Sequence, residues 1–137
     1  MQLSEKGRFV PRPRLHGAAE KVASALEAWP EVQARTHWEL GDETVVDGAD
    51  FYVGERELGH LHLYDEAHIA VPRTLRNALL AAGLAEPFQW SAAFVVKKIH
   101  DAKHAREAEW IFALAYDALK GAKIADLLER VHAKQAA

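Results

Sequence analysis

The sequence predicts an α+β fold: an antiparallel sheet of about four to five strands, helices packed on one face of it, and a C-terminal amphipathic helix. Three observations carry this. The chain has 137 residues and half of them are hydrophobic, the size and composition of one domain with one core. Its patterned segments run helix, several strands, helix, strand, helix, helix, which is not the strict alternation of a doubly wound parallel sheet. Its strand-like segments are short and separated by turn residues.

Residues 1–16 read as an extended N-terminal arm, because Pro11 and Pro13 forbid a regular helix there. Lys6, Arg8, Arg12 and Arg14 make this arm basic, and it is expected to be solvated. Residues 17–120 form the main domain. A first helix fits Gly17 to Trp29, where Ala18, Val22, Ala25, Leu26 and Trp29 share one face of a 3.6-residue period. Pro30 ends it. Val32 to Glu39 is a strand. Thr44 to Val46 and Phe51 to Val53 are further β segments around Asp47-Gly48-Ala49-Asp50, a turn or a bulge. Arg56 to Tyr64 and His68 to Val71 form two arms of a hairpin about Asp65-Glu66-Ala67.

A second helix fits Thr74 to Ala82, with Gly83 suited to the left-handed residue just past its end. Ala92 to Ile99 is a strand with apolar residues on both faces, hence central. Asp101 is placed to cap a third helix lined by Ala108, Ile111, Phe112, Ala115 and Leu119. Residues 121–137 then carry a final helix with Ile124, Leu127, Leu128 and Val131 on one face.

Composition excludes several function classes. The formal net charge is −3 and there is no cysteine. The first rules against the basic surplus of a nucleic-acid binder. The second removes disulfides, thiolate metal sites and cysteine nucleophiles. The N-terminus has no apolar signal region, and no apolar run is long enough to span a bilayer, so a soluble cytoplasmic protein without membrane contact is expected. Glycine-rich phosphate loops and Gly-x-Ser-x-Gly are absent, so covalent catalysis is not expected.

The histidines are the chemical signal. Eight occur in the chain, and His60, His62 and His68 cluster. In a strand, residues two apart point the same way. His60 and His62 therefore share a face with Leu58 and Tyr64, while Gly59, Leu61 and Leu63 share the other. A two-residue loop would put His68 opposite Leu63 and away from the pair. A three-residue loop would put it opposite Tyr64 and on the histidine face. A metal site needs a third ligand that this ambiguity does not supply, so no metal is expected. Gly59 marks a bulge or a close approach. Glu55, Arg56 and Glu57 read as a charged hairpin rim, and His100 and His104 as surface residues. Trp90 is a lid or an aromatic wall. Trp29 and Trp110 are expected to pack against the core.

The run Gly54-Glu55-Arg56-Glu57-Leu58-Gly59-His60-Leu61-His62, with His68-Ile69-Ala70-Val71-Pro72, Ala81-Ala82-Gly83-Leu84-Ala85-Glu86-Pro87 and the Glu107 to Leu119 helix, resembles the luciferase-like domain family. That family is named for the fungal bioluminescence luciferase and has small bacterial members. The resemblance implies an α+β domain. For the fungal enzyme it implies an oxygenase acting on a hydroxylated pyrone with no metal or flavin cofactor. After Pro87 the sequence departs from the family pattern, with Phe88-Gln89-Trp90-Ser91 in place of a histidine and a longer loop.

Three functions follow as expectations. The first is binding of a small aromatic or carbonyl-bearing molecule by His60, His62, Tyr64, His68 and Trp90. The second is an oxygenase in which His60 or His62 is the general base. The third is a protein-interaction module, or homodimer, formed through the last helix.

Overall fold

The computed structural model describes residues 2–137. Among them the sheet has six strands, every neighbouring pair antiparallel. These are β1 (Val32–Glu39), β2 (Asp42–Val53), β3 (Arg56–His62), β4 (Glu66–Ala70), β5 (Glu86–Pro87) and β6 (Phe94–Lys98), in the spatial order β1-β2-β3-β4-β6-β5. The helices are α1 (Gly17–Glu27), α2 (Arg73–Ala81), α3 (Ala102–Leu119) and α4 (Ile124–Ala136). The architecture is the α+β class read from the sequence, with somewhat more strands. The additional edge strand is β5, a two-residue segment in what reads as a loop.

One face of the sheet is covered. Phe51, Leu58, Leu61, Ile69 and Val95 are buried in one cluster with Val22 and Leu26 of α1 and Ile111 and Phe112 of α3. Phe51 and Phe112 meet edge to face with ring centroids 6.5 Å apart. Burying each such side chain is worth about 1.5–3 kcal/mol, which is what holds the helices down. Asp101 caps α3 by accepting from the His104 backbone N–H at 2.8 Å. Trp29 packs edge to face on Tyr116 at 5.2 Å, and Tyr116 donates its hydroxyl to the Pro30 carbonyl. In α4, Leu127 and Val131 are buried in the same core while Ile124 is exposed. Half of the apolar stripe of this helix is thus spent within the chain.

Bulges shape the other face. Asp47 to Asp50 is not a turn: β2 runs unbroken through it. Opposite β1, His37 pairs with Gly48 and Trp38 with Val46, so Asp47 is the extra residue of a bulge. Opposite β3, Phe51 pairs with Gly59 and Tyr52 with Glu57, so Leu58 is extra. This second bulge shifts the alternation. Leu58 turns into the core instead of joining the histidines, and Glu57 joins the histidine face instead of lying on a solvated rim.

The β3–β4 register also differs from both expectations. The loop is Leu63-Tyr64-Asp65, His62 pairs with Glu66, and His68 lies directly across from His60. Leu63 and Tyr64 are therefore exposed turn residues and not strand residues.

The basic arm is seated in part: Lys6 and Arg12 are paired, while Arg8 and Arg14 are exposed. Leu3–Lys6 is a turn of 3-10 helix. The Thr36 backbone donates to the Val10 carbonyl at 2.8 Å, and Arg35 donates to the Arg8 carbonyl at 2.6 Å. Arg12 binds Glu20 in a fork, at 2.9 and 2.8 Å, and also pairs with Glu27. Glu20 is lowered to about 2 by the Arg12 bond, against the opposing cost of burial. The arm thus closes the free edge of β1 and fixes Lys6 beside the sheet.

Candidate functional site

Four imidazoles stand together on the uncovered face of the sheet. His37 comes from β1, His60 and His62 from β3, and His68 from β4. The pairing makes this so: His37 is opposite Gly48, which is opposite His62, and His60 is opposite both Asp50 and His68. The rings of His37 and His60 stack, 4.3 Å apart and 10° from parallel. His62 meets His68 at 4.4 Å and His60 at 4.8 Å, both edge to face.

Each ring is held from outside by a carboxylate. His60 Nδ1 lies 2.7 Å from Glu57 Oε2, His62 Nδ1 2.8 Å from Asp47 Oδ2, and His68 Nε2 2.8 Å from Glu66 Oε1. His37 Nδ1 lies 2.7 Å from Asp50 Oδ1. The remaining nitrogens of three rings converge: His60 Nε2 and His62 Nε2 lie 3.1 and 3.2 Å from His68 Nδ1. Asp50 also pairs with Lys6 of the N-terminal turn at 2.5 Å.

Burial sets the electrostatics. It holds His60 well below the usual imidazole value, helped by the nearby His37, and lowers His62 as well, helped by His68. It raises Glu57, with Asp50 adding to the shift. Burial would also raise Asp50, but the bonds and charges of His37 and Lys6 outweigh it and hold the carboxylate low. His60 and His62 are therefore neutral in the folded protein near pH 7, with a lone pair each to offer.

The cluster is the floor of a cleft of about 510 Å³. Tyr64 stacks on His62 with ring centroids 4.6 Å apart, and Phe88 tilts over His68 at 4.6 Å. Trp38 and Trp90 flank the opening, Trp90 with 78% of its surface exposed. A second depression, over Arg12 and Glu20, is lined by charges already paired with one another.

All five residues singled out in the sequence, His60, His62, Tyr64, His68 and Trp90, line this one cleft. Two of them are well enclosed: His62 and His68 keep only 7% and 5% of their surfaces exposed. Sequence reasoning missed His37, Asp47, Asp50, Glu57 and Glu66. Two signals stood in the chain. His37 and Arg35 alternate on a strand, and acidic residues accompany every clustered histidine. Neither becomes a site without the bulges that set which residues are neighbours. His100 and His104 lie elsewhere, on the rim of α3, where the His100 backbone N–H donates to His104 Nδ1 at 3.2 Å.

The fold and the cleft together define an α+β domain with one helix-covered sheet face and one histidine-floored face. The family model described as Luciferase domain matches residues 55–115, from the start of β3 through most of α3. The resemblance read from the sequence therefore holds over this stretch. It includes His60, His62 and His68 but not His37. No curated protein and no solved structure matches the chain. No helix of the described residues is long and apolar enough to cross a membrane.

Proposed function

We propose that the chain binds a small, flat, aromatic or carbonyl-bearing molecule in the cleft above His60 and His62. The observation that carries this reading is the meeting of neutral, lone-pair-bearing imidazoles with aromatic walls. Tyr64, Phe88 and Trp90 supply faces for a ring, and the cluster supplies a few polar groups at the bottom, the usual composition of a small-molecule site. Titrating a simple hydroxypyrone into the protein and into the Trp90→Ala and His60→Gln variants tests it. Saturable binding weakened tenfold or more by His60→Gln is expected, the loss that goes with one good hydrogen bond of about 1.5–3 kcal/mol. No saturable binding, or equal binding by all three proteins, overturns it.

A second reading, an oxygenase, is favoured by the family match together with the environment of His60. A buried neutral imidazole backed by Glu57 is placed to take a phenolic or enolic proton. Oxygen uptake with the hydroxypyrone, absent in His60→Gln, supports an enzyme; binding without uptake supports the first reading. The interaction-module reading is the least supported, because α4 buries Leu127 and Val131 against its own chain.

A further inference from the structure

We infer that the histidine cluster is a site for one divalent transition-metal ion, ligated by His60 Nε2, His62 Nε2 and His68 Nδ1, with its remaining position open to the cleft. This goes beyond the small-molecule reading and does not depend on it.

The first argument is hydrogen accounting. An ionised carboxylate only accepts hydrogen bonds. The nitrogen that faces an ionised Asp47 or Glu66 therefore carries the ring hydrogen, and the one that faces Glu57 does so when that carboxyl is ionised. A neutral imidazole has one such hydrogen, so the inward nitrogens are bare lone pairs. Yet His60 Nε2 and His62 Nε2 approach His68 Nδ1 to 3.1 and 3.2 Å. Lone pairs at that distance repel. A cation at their focus turns the repulsion into ligation.

The second argument is distance. Metal–nitrogen bonds of 2.0–2.1 Å in a tetrahedral site set ligand nitrogens roughly 3.3–3.4 Å apart. The two inward contacts are within a few tenths of an ångström of that edge. The third is the outer layer. Metal-bound histidines characteristically give their other ring N–H to a carboxylate, which fixes the tautomer and ring orientation. All three ligands have that partner, from three separate strand positions. A fourth imidazole stands by: His37, His60 and His62 each offer one ring nitrogen within 4.8 Å of the others. Imidazole donors select zinc, copper, nickel or iron over calcium and magnesium, which take oxygen. The absence of metal expected from the sequence rested on a missing third ligand. The β3–β4 register supplies it.

The test uses the untagged full chain, stripped with a chelator and titrated with Zn²⁺ alone and with Co²⁺ alone. One zinc per chain is expected, with Co²⁺ showing the intense visible bands of a low-coordinate site. His62→Ala and His68→Ala should abolish uptake. Asp47→Asn and Glu66→Gln, which keep size and fold, should weaken it roughly ten- to hundredfold. A His100→Ala/His104→Ala double variant should bind as the parent does. No uptake by the parent chain, or uptake unchanged in Asp47→Asn and Glu66→Gln, overturns the inference, even if the alanine variants fail to fold. Hydroxypyrone titration in excess chelator keeps the two readings apart. Pyrone binding without metal uptake sinks only the metal site, and metal uptake without pyrone binding sinks only the small-molecule reading.

Discussion

The two faces of this sheet are made by neighbouring residues of the same strands, and they are held by different physics. On the covered face Leu61 and Ile69 pack beneath α1 and α3, and any apolar side chain of similar volume would serve. On the open face His60, His62 and His68 are held by pairwise bonds to carboxylates from other positions, each with its own distance and direction. The covered face needs a pattern. The open face needs a register, because a slip of one residue would separate every histidine from its partner. The lesson is that a core tolerates variation that a polar cluster does not, even when the two share a backbone.

The strongest way to break the comparison is to disturb both faces at once. At Gly48, between His37 and His62, an added Cβ would run into the Leu61 carbonyl oxygen. Gly48→Ala is expected to lose the cooperative thermal transition or lower it by more than any other single change named here. A parent-like melting curve would show that the strands part cheaply. At Gly59 the Cβ would meet the His68 carbonyl at 2.5 Å and Phe112 at 2.8 Å. Gly59→Ala should cost on the order of 3 kcal/mol in urea melts, combining overpacking with strain.

Next in size is the covered face alone. Ending the chain after Lys120 removes Leu127 and Val131 from the core. At about 1.5–3 kcal/mol for each buried side chain the loss is about 3–6 kcal/mol. The melting temperature of the shortened protein measures it, and an unshifted midpoint would make α4 a dispensable tail.

The open face alone is tested by His62→Gln. Asp47, which is partly buried, loses the ring N–H it accepts, at roughly 1–3 kcal/mol. A change under about 0.5 kcal/mol would class His62 with ordinary surface positions.

Acid sharpens the contrast further. His60 and His62 have lowered values when folded, so the unfolded chain takes up protons first as pH falls below the ordinary 6.5. Stability should be flat above that point and decline below it, by up to about 1.4 kcal/mol per pH unit for each group. Glu20 acts in a lower window. Its carboxylate is depressed from 4.5 to about 2, so its contribution is present above 4.5 and lost as pH falls toward 2. Urea melts at pH 8, 6.5, 5 and 3 separate the two, and stability unchanged between pH 8 and 5 would mean that the histidines are not buried neutral. The smallest effect belongs to the exposed pair: His100→Ala with His104→Ala should stay within about 0.5 kcal/mol of the parent.

Much of the architecture was legible in the sequence because helices announce themselves locally. The stripe of α3, its Asp101 cap and the Gly83 stop each depend on residues within a turn or two of one another. The strand Val32–Glu39 has the same end residues in the structure as in the sequence pattern. What failed was alternation across bulges. A strict period of two puts Leu58 on the histidine face and leaves Glu57 on a solvated rim, because it runs through a residue that has no partner on β2. In the basic arm the seated residues escape a sequence reading for another reason: Arg12 and Lys6 find Glu20 and Asp50 only after folding brings them near.

The sequence by itself determined the fold class and singled out three of the clustered histidines, since these follow from hydrophobic periodicity and from residue type. Only the tertiary structure decided that His37 is a fourth member, that His68 faces His60 and that each ring has its own carboxylate. Those facts rest on strand register, and register is set jointly by two bulges and a three-residue loop. Each is a single-residue offset that costs little locally and leaves no periodic trace in the chain.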